Sequence, residues 1–337
     1  MDNPRSATVH SIAHHGLHEV RASAAVTARP LHLHRRVSLE DAFRATVLEC
    51  LAHVAANISP VVRARDMEGL HQLRVGLRRL HVAFSAFGEE FHTPALMNLK
   101  ARTKAFADAV APARDLDVFI EELLMPVAER LGHEEAFNIL RARAEEVRRI
   151  AWDDAVMHIA SAEFAAFQDD AAAAAEARSW LGAHAVAIDL RARLAVRVPV
   201  KSAAERIMDE QLMRARKRGR HLKNLEEREF HRLRLALKRL RYAAEFYAPL
   251  YKKKAVKRYL GRLKKLQDLL GLVNDVAQVR SVLARLIADE PVTAHLQADL
   301  HFAAGLINGW HRARAERLGK RTLRRWDKFK RMEPFWA

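Results

Sequence analysis

The residues best suited to chemistry are cations and imidazoles on two matching stretches. His71 to Phe87 reads HQLRVGLRRLHVAFSAF, and 160 positions later His231 to Tyr247 reads HRLRLALKRLRYAAEFY. Each stretch can be laid on a helix at about 100° per residue. In the first, Leu73, Leu77, Leu80, Phe84 and Phe87 share one face; His71, Arg74, Arg78 and His81 share another, with Arg79 flanking it. In the second, Leu233, Leu237, Leu240 and Tyr247 line the apolar side. His231, Arg234, Lys238 and Arg241 line the basic side, with Arg239 in the place of Arg79.

A surface helix ordinarily mixes charge signs on its wet face, because opposite charges at i, i+4 support each other. Cations on successive turns repel, so such a face costs stability unless an anion occupies it. A solvated basic surface would explain one copy. Two copies in matching phase favour a bound anion. Arg offers forked donors that match phosphate oxygens, and Lys a flexible point charge. Three readings of His71 and His231 stay open: neutral donors to phosphate, cations induced by it, or packed residues that fix the fold. A metal site ranks last, since no Cys or second His lies at i+4. Asp115, Asp117 and Asp275 could suggest catalysis or Mg²⁺ binding. As helix caps or partners of nearby Arg, Asp115 and Asp275 have a simpler reading.

The elements that position these residues are helices. Half of the 337 residues are hydrophobic, Gly and Pro number 12 and 10, and no alternating run of β-branched and aromatic residues occurs. The chain is expected to be all-α. Its net charge of +17 is uneven: residues 201–337 hold 34 Lys and Arg against 15 Asp and Glu, and residues 1–200 hold 24 against 26. So basic a half implies a polyanionic partner, whether nucleic acid, anionic membrane or phosphate polymer. Cys50 is the lone cysteine and has no disulfide partner in the chain. The N-terminus shows no apolar signal core, and no run approaches an uncharged membrane span. A cytoplasmic protein with no membrane partner is the expectation.

Taken in order, residues 1–37 look like a flexible leader rich in His. Ser38 with Glu40 and Asp41 is an N-cap signal, and Pro60 marks the end of that helix. Gly88 and Pro94 bracket the exit of the first basic helix, and Pro112 breaks the next. Residues 127–198 are Ala-rich with acidic pairs, expected to form solvated amphipathic helices. Pro199 opens the second half, whose first helix ends near Gly219. The segment LGRLKKLQDLLGLVNDVAQV then matches NLKARTKAFADAVAPARDLDV at the same offset: Lys104 falls on Lys264, Asp115 on Asp275 and Arg114 on Asn274. Two motifs sharing one offset indicate a duplication, with halves 38–198 and 199–337.

These residues resemble a known family. H-x-L-R-V-x-x-R-R-L at His71 to Leu80, A-R-D-L-D-V at Ala113 to Val118, and H-x-L-R-x-x-x-K-R-L-R-Y at His231 to Tyr242 are similar to the CHAD domain, the conserved histidine α-helical domain. The closing aromatics Trp326, Phe329, Phe335 and Trp336 fit as well. The resemblance covers residues 38–337 and implies a bundle of two pseudo-symmetric four-helix halves around a basic cavity or pore. It implies inorganic polyphosphate as ligand and association with polyphosphate granules. His71, Arg74, Arg78 and Arg79 would line the site from one half, and His231, Arg234, Lys238, Arg239 and Arg241 from the other. Lys104 and Arg114, then Arg218, Arg220, Lys253, Lys257 and Lys264, complete the candidate set. His81 departs from the Arg usual in the family, and Asn274 replaces an Arg; each would weaken the site locally.

The triphosphatase that often accompanies this domain carries E-x-E-x-K. The nearest match here, Glu227 to His231, has His in place of Lys, and no phosphate-binding G-x-x-x-x-G-K-[ST] loop occurs. Binding without turnover, and without a cofactor or metal, is therefore expected. A nucleic-acid-binding protein and a polyphosphate hydrolase are the rivals, and weak nonspecific nucleic-acid binding would follow from charge alone.

Overall fold

The computed structural model describes residues 24–87, 93–132, 134–178, 197–222, 227–288 and 294–337. Residues 1–23 of the leader, and Gly88, lie outside the described residues. Helix α1 (Leu39–Ala56) begins where Ser38 Oγ accepts the Asp41 N–H at 3.0 Å, with Glu40 and Asp41 at the positive end of the helix. It ends at Asn57, whose Nδ2 donates to the His53 carbonyl at 2.8 Å. Pro60 therefore sits in the first turn of a new helix, α2 (Ile58–Ala64), where a missing N–H costs nothing. Asp66 caps α3 (Met67–Ala86), and Thr93 caps α4 (Pro94–Ala109). Then come α5 (Ala111–Val118), a π-helical stretch (Phe119–Leu124), α6 (Met125–Leu131), α7 (Glu134–Ile159) and α8 (Ala162–Ala177). The second half comprises α9 (Val200–Arg218), α10 (Glu227–Tyr247), a short 3₁₀ turn, α11 (Lys253–Ala288) and α12 (Ala294–Lys330). Among the described residues there is no β-strand, only an isolated bridge between Ser38 and Pro199. The protein is all-α.

The 160-residue offset extends from motif to helix. Leu39 answers to Val200, Met67 to Glu227, Pro94 to Lys253 and Glu134 to Ala294, each within one residue of that spacing. Pro112 and Pro126 sit where the first half breaks its third rod into pieces. The equivalent Leu272 and Leu286 leave α11 continuous, because each keeps the N–H that proline lacks. Equivalent helices also touch one another: α3 packs on α10, α7 on α12 and α1 on α9. Like-on-like contact is the mark of a two-fold relation. The equivalents Phe87 and Tyr247 meet there, with ring centroids 5.3 Å apart.

One apolar cluster runs through both halves. The stripe of α3 (Leu73, Leu77, Leu80) and that of α10 (Leu233, Leu237, Leu240) are fully buried. Gly76 lets α3 approach α1 closely: a Cβ there would lie 2.7 Å from Val54 Cγ2. Helix α8 is more than a solvated amphipath, since Phe164 and Phe167 pack on Phe106 at 4.8 and 5.3 Å.

Residues 24–37 do not behave as the leader that their composition suggests. Leu31 and Leu33 are buried, the Val26 N–H donates to Asn57 Oδ1 at 3.0 Å, and Arg35 Nε donates to the Leu250 carbonyl at 3.3 Å. At the other terminus Trp336 Nε1 donates to Asp209 Oδ1 at 2.8 Å, and its ring meets Tyr259 at 5.1 Å. The segment Leu39–Ala64 is long and apolar enough to cross a membrane by length and composition, with mean hydropathy 1.4. Half of its most apolar window is buried inside the protein, where Phe43, Val47 and Val54 face the core. It is a core element broken at Asn57.

Candidate anion site where the basic helices meet

The contact of α3 with α10 brings the polar faces of both helices side by side. Arg74 and Arg78 from α3 and Arg234 and Lys238 from α10 lie half-buried and act on one another electrostatically. Arg74 has a carboxylate partner: its Nη1 donates to Asp115 Oδ1 at 3.2 Å and to the Ala111 carbonyl at 3.4 Å. Arg78, Arg234 and Lys238 form no ion pair or hydrogen bond among the described residues. Burial, followed by Arg78, Arg234, Arg74 and Arg241, pushes the Lys238 ammonium down to about 6. Burial and then Arg78 lower Arg234, which Asp275 partly offsets. Asp275 is itself pushed up to about 6 by burial, against the pull of Arg234 and Arg314. It lies inside continuous α11 and caps nothing, whereas Asp115 is held by Arg74.

His71 stands at the edge of this group. Burial and then Arg114 lower its pKa, with Arg78 and Arg74 adding to the effect and Glu68 opposing it, which favours the neutral imidazole. A second group lies further along α3. Burial, then Lys100, Arg239 and Lys104, push His81 down to about 4. Lys100 on α4 is lowered by burial and by Arg239. Lys100 is not among the residues singled out from the sequence. It sits four positions before Lys104 on one face of α4, a spacing that could have found it. Arg314 on α12 falls in the basic run Arg312 to Arg331, which the sequence leaves open as a solvated face or a pore wall; no repeated motif singles it out.

Several expected site residues lie elsewhere. Arg79 is buried, donates to Glu245 Oε2 at 3.0 Å and stacks over Phe246 at 5.1 Å. It fastens α3 to α10 and does not line a cavity, because its position flanks the polar face on the side that meets the other repeat. Arg241 shares the same carboxylate at 3.2 Å and donates to Gln267 Oε1 at 3.2 Å. Arg114 reaches Glu122 at 3.3 Å, and Lys104 pairs with Asp108. His231 is exposed and lines a groove with Arg228, Arg232, Asn274 and Arg312 instead of joining Lys238. Arg218, Arg220, Lys253, Lys257 and Lys264 are exposed, and none is among the charges acting on the central residues. The arrangement can bind an anion at a cationic group fed by both repeats. What distinguishes it is that three of its cations, Arg78, Arg234 and Lys238, form no ion pair among the described residues, with Asp275 and Asp115 acting on Arg234 only from a distance.

A fold of paired helical repeats with a basic face at their junction defines a class of protein, and the comparisons agree. The CHAD domain family model matches residues 45–284, and the chain belongs to that family. The structure is similar to the CHAD domain from the plant Ricinus communis, with a TM-score of 0.75 and 24% identity over 92% of this chain and 98% of that one. It is also similar to PptA from Streptomyces chartreusis, with a TM-score of 0.59 and 16% identity over 86% of this chain and 100% of that one. No functionally curated protein matches the sequence.

Proposed function

We propose that this protein binds inorganic polyphosphate, without turning it over, at the junction of its two repeats, and that this binding places it at polyphosphate granules. The observation that carries the reading is the trio Arg78, Arg234 and Lys238: partly buried, contributed by both repeats and without an ion pair among the described residues. Like charges gathered away from bulk water raise the free energy of the empty protein, and a chain of phosphates removes that cost. A polyphosphate carries charge at regular intervals and no bases, so cations alone can read it. The family membership and the doubled motif support the same ligand.

Nucleic acid is the less favoured polyanion because stacking partners are scarce at the junction. Trp326, Phe329 and Trp336 are buried in the core, and Phe87 and Tyr247 are packed against each other. For hydrolysis, the nearby acid Asp115 is engaged by Arg74. Among the described residues no three His, Cys, Asp or Glu side chains gather into a metal-ligand set.

The test is a titration of long-chain polyphosphate against single-stranded RNA and duplex DNA of matched charge at two salt concentrations. Polyphosphate should bind more tightly at both. Equal or tighter binding of nucleic acid at the higher salt would overturn the assignment, and release of orthophosphate in the presence of Mg²⁺ or Mn²⁺ would make the protein an enzyme.

A further inference from the structure

Away from the α3–α10 contact, α11 and α12 leave a groove of about 610 Å³ between them. Its α12 wall carries Arg314, Arg317, Arg321 and Arg325. Spacings of three, four and four residues put all four on one helical face, a row about 16 Å long at 1.5 Å per residue. Lys265 and Asp268 face them from α11, and among the described residues Asp268 is the sole carboxylate in the lining. The floor is apolar, formed by Leu269, Leu272 and Leu318.

A solvated helix face would not be built this way. Outside the groove Arg312 pairs with Glu316 at 3.4 Å and Lys330 with Asp327 at 2.6 Å, while Lys320, Arg324 and Lys328 form no ion pair among the described residues; what sets the groove row apart is the concave wall that it lines. In the groove, Arg317, Arg321 and Arg325 are successive like charges at i, i+4, and none of the four arginines forms an ion pair among the described residues. The cost of that repulsion recurs along a concave surface, where low-dielectric walls concentrate the field. The groove lies within electrostatic reach of the junction: Arg234 of the junction and Arg314 of the groove both act on Asp275. Helix α12 lies beyond residues 45–284, which the family model matches.

We infer that the α11–α12 groove is a second segment of one polyanion track: a linear phosphate chain held at the junction runs past Arg314 and lays its distal units along Arg317, Arg321 and Arg325. This rests on the polyphosphate reading of the junction. It makes the protein selective for long chains, because a short one fills the junction and never reaches the groove.

The test compares tripolyphosphate with a long polyphosphate on the full chain. Replacing Arg317→Gln, Arg321→Gln and Arg325→Gln together should weaken the long chain about tenfold, as expected for three solvent-exposed ion pairs. It should flatten the logarithmic salt dependence by about 2, from about 0.7 per phosphate contact, and leave tripolyphosphate binding unchanged. The Lys versions of the same three positions should keep the wild-type salt dependence. Unchanged long-chain affinity, or an equal loss for both lengths, overturns the track. Arg78→Gln with Lys238→Gln should weaken both lengths. If those two changes leave the long chain bound while the groove variant loses it, the junction reading fails and the groove stands alone.

Discussion

Lys238 ties anion binding to proton uptake, and the size of the effect follows from its surroundings. With its pKa at about 6 in the empty site, the ammonium is about 1% charged at pH 8. A phosphate placed among Arg78, Arg234 and Lys238 removes the repulsion that lowered it, so the pKa returns toward the ordinary value of about 10.4. Binding at pH 8 should then draw about one proton from solution. Affinity should fall about tenfold per pH unit as pH rises from 7 to 9. His71 and His81, also depressed, add uptake only nearer neutrality, and Asp275, raised to about 6, is ionised at pH 8. The assay is calorimetric titration of polyphosphate at pH 8 in buffers of different ionisation enthalpy. Lys238→Met should abolish most of the uptake. Uptake near zero in the unaltered protein, or unchanged uptake in Lys238→Met, would refute the argument.

Other expectations concern packing and the division of labour among cations. A Cβ at Gly219 would lie 2.1 Å from the Trp326 ring, so Gly219→Ala should destabilise the protein by about 1–3 kcal/mol in urea unfolding. Arg79→Gln should cost about 1–3 kcal/mol of stability, because Glu245 loses its buried partner and keeps only Arg241. Its polyphosphate affinity, measured on the folded fraction, should stay within about twofold of the original. Arg78→Gln should show the reverse, with stability kept or raised and affinity down at least about tenfold, the worth of one charge-assisted contact.

How much of this could be read from the residues depends on whether a property is local. The basic faces were legible because a helical period displays them within ten residues. The repeat was legible because one offset joins motifs that no local rule connects, and the helix starts keep that offset. The fate of Arg79 was not legible: its neighbours in sequence put it beside the polar face, but its partner Glu245 comes from the other repeat. His71 and His231 read as equals, yet one stands beside Arg74 and Arg78 and the other opens onto a groove. Leu31 and Leu33 are too few to show a period, so only tertiary contact reveals that residues 24–37 pack. Pro60 fits the end of one helix or the first turn of the next, and the Asn57 cap decides between them.

The two repeats differ at one informative place. Arg78 in α3 is answered by Lys238 in α10, and Lys238 is the member of the group placed among four guanidiniums, those of Arg74, Arg78, Arg234 and Arg241. Arg cannot shed its proton in a protein, and Lys can. A lysine at this point lets the empty protein discharge the position where repulsion converges and recharge it when phosphate arrives. Lys238→Arg should therefore remove the proton uptake at pH 8. It should bind polyphosphate more tightly there, by up to about 100-fold, since the charged form no longer has to be created. Near pH 6, where the lysine is already about half charged, the two proteins should bind within about twofold. The sign for stability follows from the same linkage. A folded pKa below the unfolded one means that the unfolded chain holds more protons between pH 6 and about 10.4, so the empty protein loses stability as pH falls through that window. A permanent cation extends that penalty to all pH values, so Lys238→Arg should melt lower than the unaltered protein at pH 8, and Lys238→Met should melt higher. Melting changes of the same sign in both variants, or an unaltered pH dependence of binding in Lys238→Arg, would show that Lys238 is not the titrating group.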